Sequence, residues 1–311
     1  MQFFPFGNKL KVGLALGGGG VRGLSHLGIL KILDKENFPI DLIAGSSMGA
    51  IIGAAYCLYK DVDFIEKKVN LIINSEEIKQ LMKFSANTES RKKKLILKKF
   101  IAYIEGIYKW NLRGAKKWII ESDTLTNLIK TLIPPEKDFN DTKIPFVCAA
   151  TDLFSGESVL LKKGNLLQSV LASSSIPGIF PPVKIDGRFL VDGGILSLVP
   201  VPEARNLGAD FVIGVDVEGL GRREVLKNGV DILSQIDYIR AHWINKNNIS
   251  QCDFLINPKV SHMNWADFSM SDYCIVKGEE AIKENLSNLK QNLNKNRLKI
   301  YIKKLFNFKK N

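Results

Sequence analysis

The chain has 311 residues, 45% of them hydrophobic and 24% charged, a balance that supports a packed core and excludes a disordered or low-complexity chain. No apolar run reaches the ~18 residues of a membrane span, no basic and apolar leader opens the sequence, and the four cysteines stand far apart. The last point argues against a disulfide scaffold or zinc site and for reduced thiols in a cytoplasmic protein.

The elements follow in chain order. Residues 11–16, KVGLAL, read as a short buried strand that ends in four glycines. Apolar residues then recur at helical spacing from Val21 to Asn37. A second strand covers 40–44 and runs into Gly45-Ser46-Ser47-Met48-Gly49, after which a helix of small residues begins. Residues 61–133 are expected to be mostly helical, up to Pro134-Pro135. Strands return at 144–153 and 158–164 across a hairpin-like turn, and 165–174 form a helix stopped by Pro177-Gly178. VKIDGRFLVDGG reads as a further strand pair about Asp186-Gly187. The helix VPEARNLGA leads to a buried strand at 210–219. The remainder is helical apart from a strand at 253–258. Strands alternating with helices predict a three-layer α/β/α domain with a largely parallel sheet, in which sites collect at the carboxyl ends of strands.

Two motifs sit at such ends. Gly18-Gly19-Gly20-Val21-Arg22-Gly23 matches G-x-G-x-x-G between a strand and a helix. Three readings stay open there: a dinucleotide loop, a tight turn, or backbone amides converging on an oxyanion. Arg22 is a solvated charge if the loop is a plain turn; otherwise it steadies the loop or meets an anionic headgroup. The second motif, G-x-S-x-G at 45–49, is the layout of a nucleophile elbow, with Gly45 and Gly49 relieving crowding about Ser47.

A serine needs a base. The chain has three histidines, His26, His242 and His262. His26 falls on or near a packed helix face and reads as structural, and the other two lack the turn context of a triad histidine. Asp192, at the end of an apolar strand and followed by Gly193-Gly194, is the better candidate, because a carboxylate held against a hydroxyl in a partly dry site is a useful base.

Taken together, the glycine loop, GSSMG, ASSSIPGIFPPV and VDGG resemble the patatin-like phospholipases, over roughly residues 10–220. The resemblance is to short bacterial members and to the catalytic domain of the neuropathy target esterase group. It implies a patatin-like α/β/α fold and hydrolysis of acyl esters of phospholipids or lysophospholipids, with neither metal nor cofactor. It also implies a Ser47–Asp192 dyad, with an oxyanion hole from Gly18, Gly19 and Gly20 and supporting roles for Arg22, Gly23, Gly45, Gly49 and Gly193. SLVPVP, after Asp192, lacks the asparagine usual in the family. The rival reading is a catalytically silent lipid-binding protein that uses the same crevice.

The net charge of +12 is concentrated in two places. Residues 91–118 carry ten Lys or Arg against one acid, and residues 290–311 carry eight and no acid. The rest of the chain is mildly acidic. Such patches suggest an anionic surface as partner, and no nucleic-acid module accompanies them. The first, with Tyr108, Trp110 and Trp118, reads as a helical cap or an interfacial lid spanning 85–120. The expected organisation is one catalytic domain over 1–285 and a basic amphipathic tail over 286–311, in a cytoplasmic protein that touches the inner face of a membrane.

Overall fold

A computed structural model describes residues 10–79, 82, 122–219 and 229–308. The basic segment 91–118, and the expected lid at 85–120 that contains it, lie outside the described residues.

Among the described residues eight strands form one sheet: β1 (Val12–Leu16), β2 (Leu42–Gly45), β3 (Phe146–Asp152), β4 (Ser158–Leu161), β5 (Val183–Ile185), β6 (Arg188–Asp192), β7 (Phe211–Val215) and β8 (Phe254–Ile256). β1, β2, β3, β7 and β8 are parallel, while β4, β5 and β6 pair antiparallel. The helices are α1 (Ser25–Lys35), α2 (Met48–Tyr59), α3 (Val62–Ile73), α4 (Ser122–Lys130), α5 (Leu166–Ser173), α6 (Val201–Asn206), α7 (Gly229–Ile249) and α8 (Ser271–Phe308).

The strands are apolar on both faces, as a sheet covered by helices on both sides requires. Alternate residues go to different layers. Leu14, Leu16, Ile43, Phe146, Phe211 and Ile213 join the larger core beneath α1 and α2. Ala15, Leu42, Ala44, Val147 and Val212 meet Val201 and Ala204 of α6 on the other face. This is the expected three-layer α/β/α architecture. Two details differ from the sequence expectation. Residues 259–267, within the stretch expected to be helical, form turns and loop instead. The helix expected from Val21 opens as a 3-10 turn over Gly20–Leu24, and α1 proper starts at Ser25. The tighter turn follows from the glycine loop, in which Gly20 lies against the Trp265 backbone and Gly23 against Met48.

β3 is the longest strand, and this places the site. Its residues Phe146 to Cys148 pair with β2, and Ala150 to Asp152 pair with β6. β4 takes Cys148 to Thr151. Since a strand has two edges, β2 and β6 must share the edge opposite β4, β2 below and β6 above. Asp192 pairs with Ala150, two residues beyond the Cys148 that pairs with Gly45. The aspartate is thereby delivered directly over the turn that leaves β2.

α8 lies against α1. An added Cβ on Gly28 would fall 2.0 Å from the Ile275 carbonyl oxygen, and one on Gly278 would fall 2.0 Å from that of Ser25, so the two backbones touch where only glycine fits. α8 crosses residue 285 without interruption, with Leu289 and Leu293 buried and Lys290 paired with Glu36 at 2.8 Å.

Candidate active site

Ser47 occupies the turn between β2 and α2 with φ 52° and ψ −122°, a conformation that costs a non-glycine residue energy and persists only where its surroundings over-determine it. They do so here. The Ser47 N–H lies 3.1 Å from the Ser173 carbonyl and 3.2 Å from the Ser173 hydroxyl, its carbonyl accepts from Ala50 and Ile51 N–H, and the Ser174 hydroxyl donates to the same carbonyl at 3.3 Å. Gly49 and Gly45 permit the packing, since an added Cβ would meet the Leu16 carbonyl oxygen at 2.1 Å or the Ala50 Cα at 2.5 Å.

The Ser47 hydroxyl donates to Asp192 Oδ2 at 2.6 Å, and the Gly194 N–H donates to Asp192 Oδ1 at 2.7 Å. The Asp192 N–H is fixed on the Ser175 carbonyl, and its own carbonyl accepts from Thr151 Oγ1. Burial pushes the Asp192 carboxyl up to about 6, the bonds from Ser47 and Gly194 oppose that push, and the nearby Glu218 carboxylate adds to it.

Thus Ser173, Ser174 and Ser175, at the end of α5, bracket both members of the pair. Reading the sequence element by element missed these contacts. The signal was the run of three serines at a helix end just before Ile176-Pro177, where hydroxyls and free carbonyls are both available.

The glycine loop faces the same turn. The Gly18 N–H donates to the Leu198 carbonyl at 2.9 Å and is therefore occupied, which leaves the Gly19 and Gly20 N–H groups of the expected trio. No acceptor among the described residues takes either of those. A Cβ on Gly18 would sit 3.0 Å from Ser47 Cβ, so the loop lies directly against the serine. The Val21 N–H is held by the Trp265 carbonyl at 2.8 Å. Arg22 is buried; its Nε donates to the Gly19 carbonyl at 3.1 Å and its Nη2 to Glu218 Oε1 at 2.8 Å. This burial overturns the reading of Arg22 as a solvated charge, and of its other two roles steadying the loop is the one the geometry fits. Gly23 packs on Met48 and Gly193 on the Ala149 backbone. The segment without the asparagine is secured from α7, where Asn245 Oδ1 accepts from Val199 N–H and Asn248 Nδ2 donates to the Leu196 carbonyl.

The histidines stand apart from this network. His26 is fully buried with Nε2–H on the Gly17 carbonyl at 2.7 Å, and burial lowers its pKa to about 4. Among the described residues no histidine hydrogen-bonds Ser47 or Asp192. Beside Ser47 opens an apolar chamber between α2, α3 and α4, walled by Ile51, Val69, Ile72, Ile73, Leu128 and Trp265, among others.

A serine on a strained strand-to-helix turn, donating to an aspartate with no imidazole between them, sets this site apart from the serine–aspartate–histidine class of α/β-hydrolases. The family model for patatin-like phospholipases matches residues 14–205, and the chain belongs to that family. It is 31% identical over 238 residues to a protein named Lysophospholipase NTE1 from Candida glabrata, covering 75% of this chain and 12% of that one. It is 30% identical over 209 residues to an uncharacterised NTE family protein of Mycobacterium bovis, covering 67% of this chain and 49% of that one. The chain thus spans less than half the length of these relatives. Among solved structures, VipD from Legionella pneumophila is similar, with a TM-score of 0.48 and 16% identity, covering 90% of this chain and 67% of that one. No described helix is long and apolar enough to cross a membrane.

Proposed function

We propose that this protein is a serine lipid acyl hydrolase of the phospholipase A or lysophospholipase type. The observation that carries this reading is the 2.6 Å bond from Ser47 Oγ to Asp192 Oδ2 at the mouth of an apolar chamber. Asp192 accepts the Ser47 proton as Oγ attacks the ester carbonyl. The Gly19 and Gly20 N–H groups receive the developing oxyanion, a contribution of about 3 kcal/mol per donor in comparable sites. The bond to the alcohol or lysolipid oxygen breaks, and that oxygen takes the proton from Asp192. A water molecule then attacks the acyl-enzyme, giving its proton to Asp192, and Ser47 recovers a proton as the fatty acid leaves.

The chamber suits a fatty-acyl chain because its walls offer contact area and few polar partners. The family and the relatives named as lysophospholipases support lipid esters over other acyl substrates. The basic segments 91–118 and 290–311 complement an anionic membrane surface. The rival reading is a silent lipid-binding protein. Reaction with a fluorophosphonate probe separates the two: the hydrolase is labelled at Ser47 and turns over a lysophospholipid, whereas a silent protein does neither.

A further inference from the structure

Two hairpins project past the carboxyl end of the sheet, on the side where Ser47 and Asp192 lie. One is the β3–β4 connection, with Leu153 and Phe154 at its tip. The other joins β5 to β6 through Asp186-Gly187. Since Leu190 pairs with Asp152, and the Leu153 N–H donates to the Phe189 carbonyl at 3.0 Å, the two tips lie side by side. β6 stands above β2 on the edge of β3, so its hairpin rises from the same end of the sheet as Ser47.

These tips carry apolar side chains that folding leaves in water. Phe154 is 84% exposed and Leu153 51%. Phe154 meets Phe189 edge to face at 5.7 Å, and Lys184 Nζ lies 5.5 Å from the Phe189 ring centre. Exposed hydrophobic groups are common singly. A phenylalanine pair with an adjacent leucine, on paired tips beside a reactive serine, is a site-sized feature. Charge around it is nearly balanced: Arg188 lies 3.9 Å from Asp152 and 3.8 Å from Glu157, with Lys184 and Asp186 beside it. The balance fits an apolar insertion better than capture of a polyanion. Three side chains also fall short of the roughly 800 Å² per partner that a stable dimer buries.

We propose that Leu153, Phe154 and Phe189 enter the headgroup–acyl boundary of a phospholipid bilayer and hold the mouth of the Ser47 crevice against it. This rests on the reading of the crevice as a lipid-hydrolysing site, since it is the substrate that puts a bilayer in front of these tips. It concerns a surface distinct from the basic segments. Charge attraction is screened by salt, while apolar insertion is not.

The test measures partition of the full chain carrying Ser47→Ala, which removes turnover, onto phosphatidylcholine vesicles in roughly 0.5 M salt, where charge attraction is screened. Adding Leu153→Ser with Phe154→Ser should lower partition about tenfold, and Phe154→Trp should retain it. With Ser47 intact, the double substitution should leave turnover of a water-soluble short-chain ester unchanged and lower hydrolysis of vesicle lipid. Equal partition of both proteins overturns the proposal. So does absence of wild-type binding at high salt, loss of soluble-ester turnover in the double variant, or a dimer that the substitutions dissociate. If no ester is hydrolysed but the partition difference is present, the catalytic reading fails and the docking surface stands.

Discussion

Around Ser47 the chain is held by named hydrogen bonds, from Ser173 and Ser174 at its backbone to Asp192 at its hydroxyl. The chamber that begins at the same residue is walled by apolar side chains, many of them aliphatic and from α2, α3 and α4. The first region depends on positions fixed to fractions of an ångström, because hydrogen bonds weaken steeply with misalignment. The second depends on volume and apolar character, because dispersion and burial are non-directional. Substitutions in the two regions should therefore fail differently.

The largest effects belong to the pair. Ser47→Ala and Asp192→Asn should each lower ester turnover by about four orders of magnitude or more with the fold intact, measured with a short-chain nitrophenyl ester and circular dichroism. Retained turnover in either would dissolve the contrast, since the turn would then be structural only. Gly49→Ala should cost on the order of 3 kcal/mol in denaturant unfolding, because its methyl would press on the Leu16 carbonyl oxygen.

The chamber should tolerate exchange and punish lost volume. Ile73→Trp should leave short-chain ester turnover within about twofold while lowering turnover of long-chain esters about tenfold, read from a chain-length series. A uniform loss across the series would mean that the acyl chain lies elsewhere.

The carboxyl of Asp192 links activity and stability to pH. It must be ionised to accept a proton, so kcat/KM should fall as pH drops through about 6. The sign for stability is opposite. A carboxyl raised in the folded state binds protons there that the unfolded chain has lost, so its stabilisation is full below the ordinary aspartate range and is lost as pH rises through about 6. Asp192→Asn removes that loss. Its melting temperature relative to the wild type should rise between about pH 4 and pH 6.5 and level off above, by an amount worth a few kcal/mol at most. A pH-independent difference would mean that Asp192 is not held in a dry site.

The smallest effect comes from the clamp. Ser173→Ala removes one of the two acceptors near the Ser47 N–H and should cost about 1 kcal/mol, or several-fold in turnover.

The sequence by itself determined the strand and helix alternation and nominated the turn at Ser47 and Asp192 over the histidines, because these rest on short-range patterns: apolar runs, glycines at fixed offsets, a carboxylate at a strand end. It also marked Gly19 and Gly20, though not which glycine amide is already taken, since the Gly18 N–H is claimed by Leu198, a residue remote in sequence. The serine clamp of α5, the contact of Arg22 with Glu218 and the grip of Trp265 on the glycine loop are long-range contacts of the same kind. Only the tertiary structure decides them. It also decides the Ser47–Asp192 bond, because β3 outruns β2 and lets β6 land on the vacant part of its edge. That single register choice brings residues 145 positions apart within hydrogen-bonding distance, and local periodicity carries no information about it.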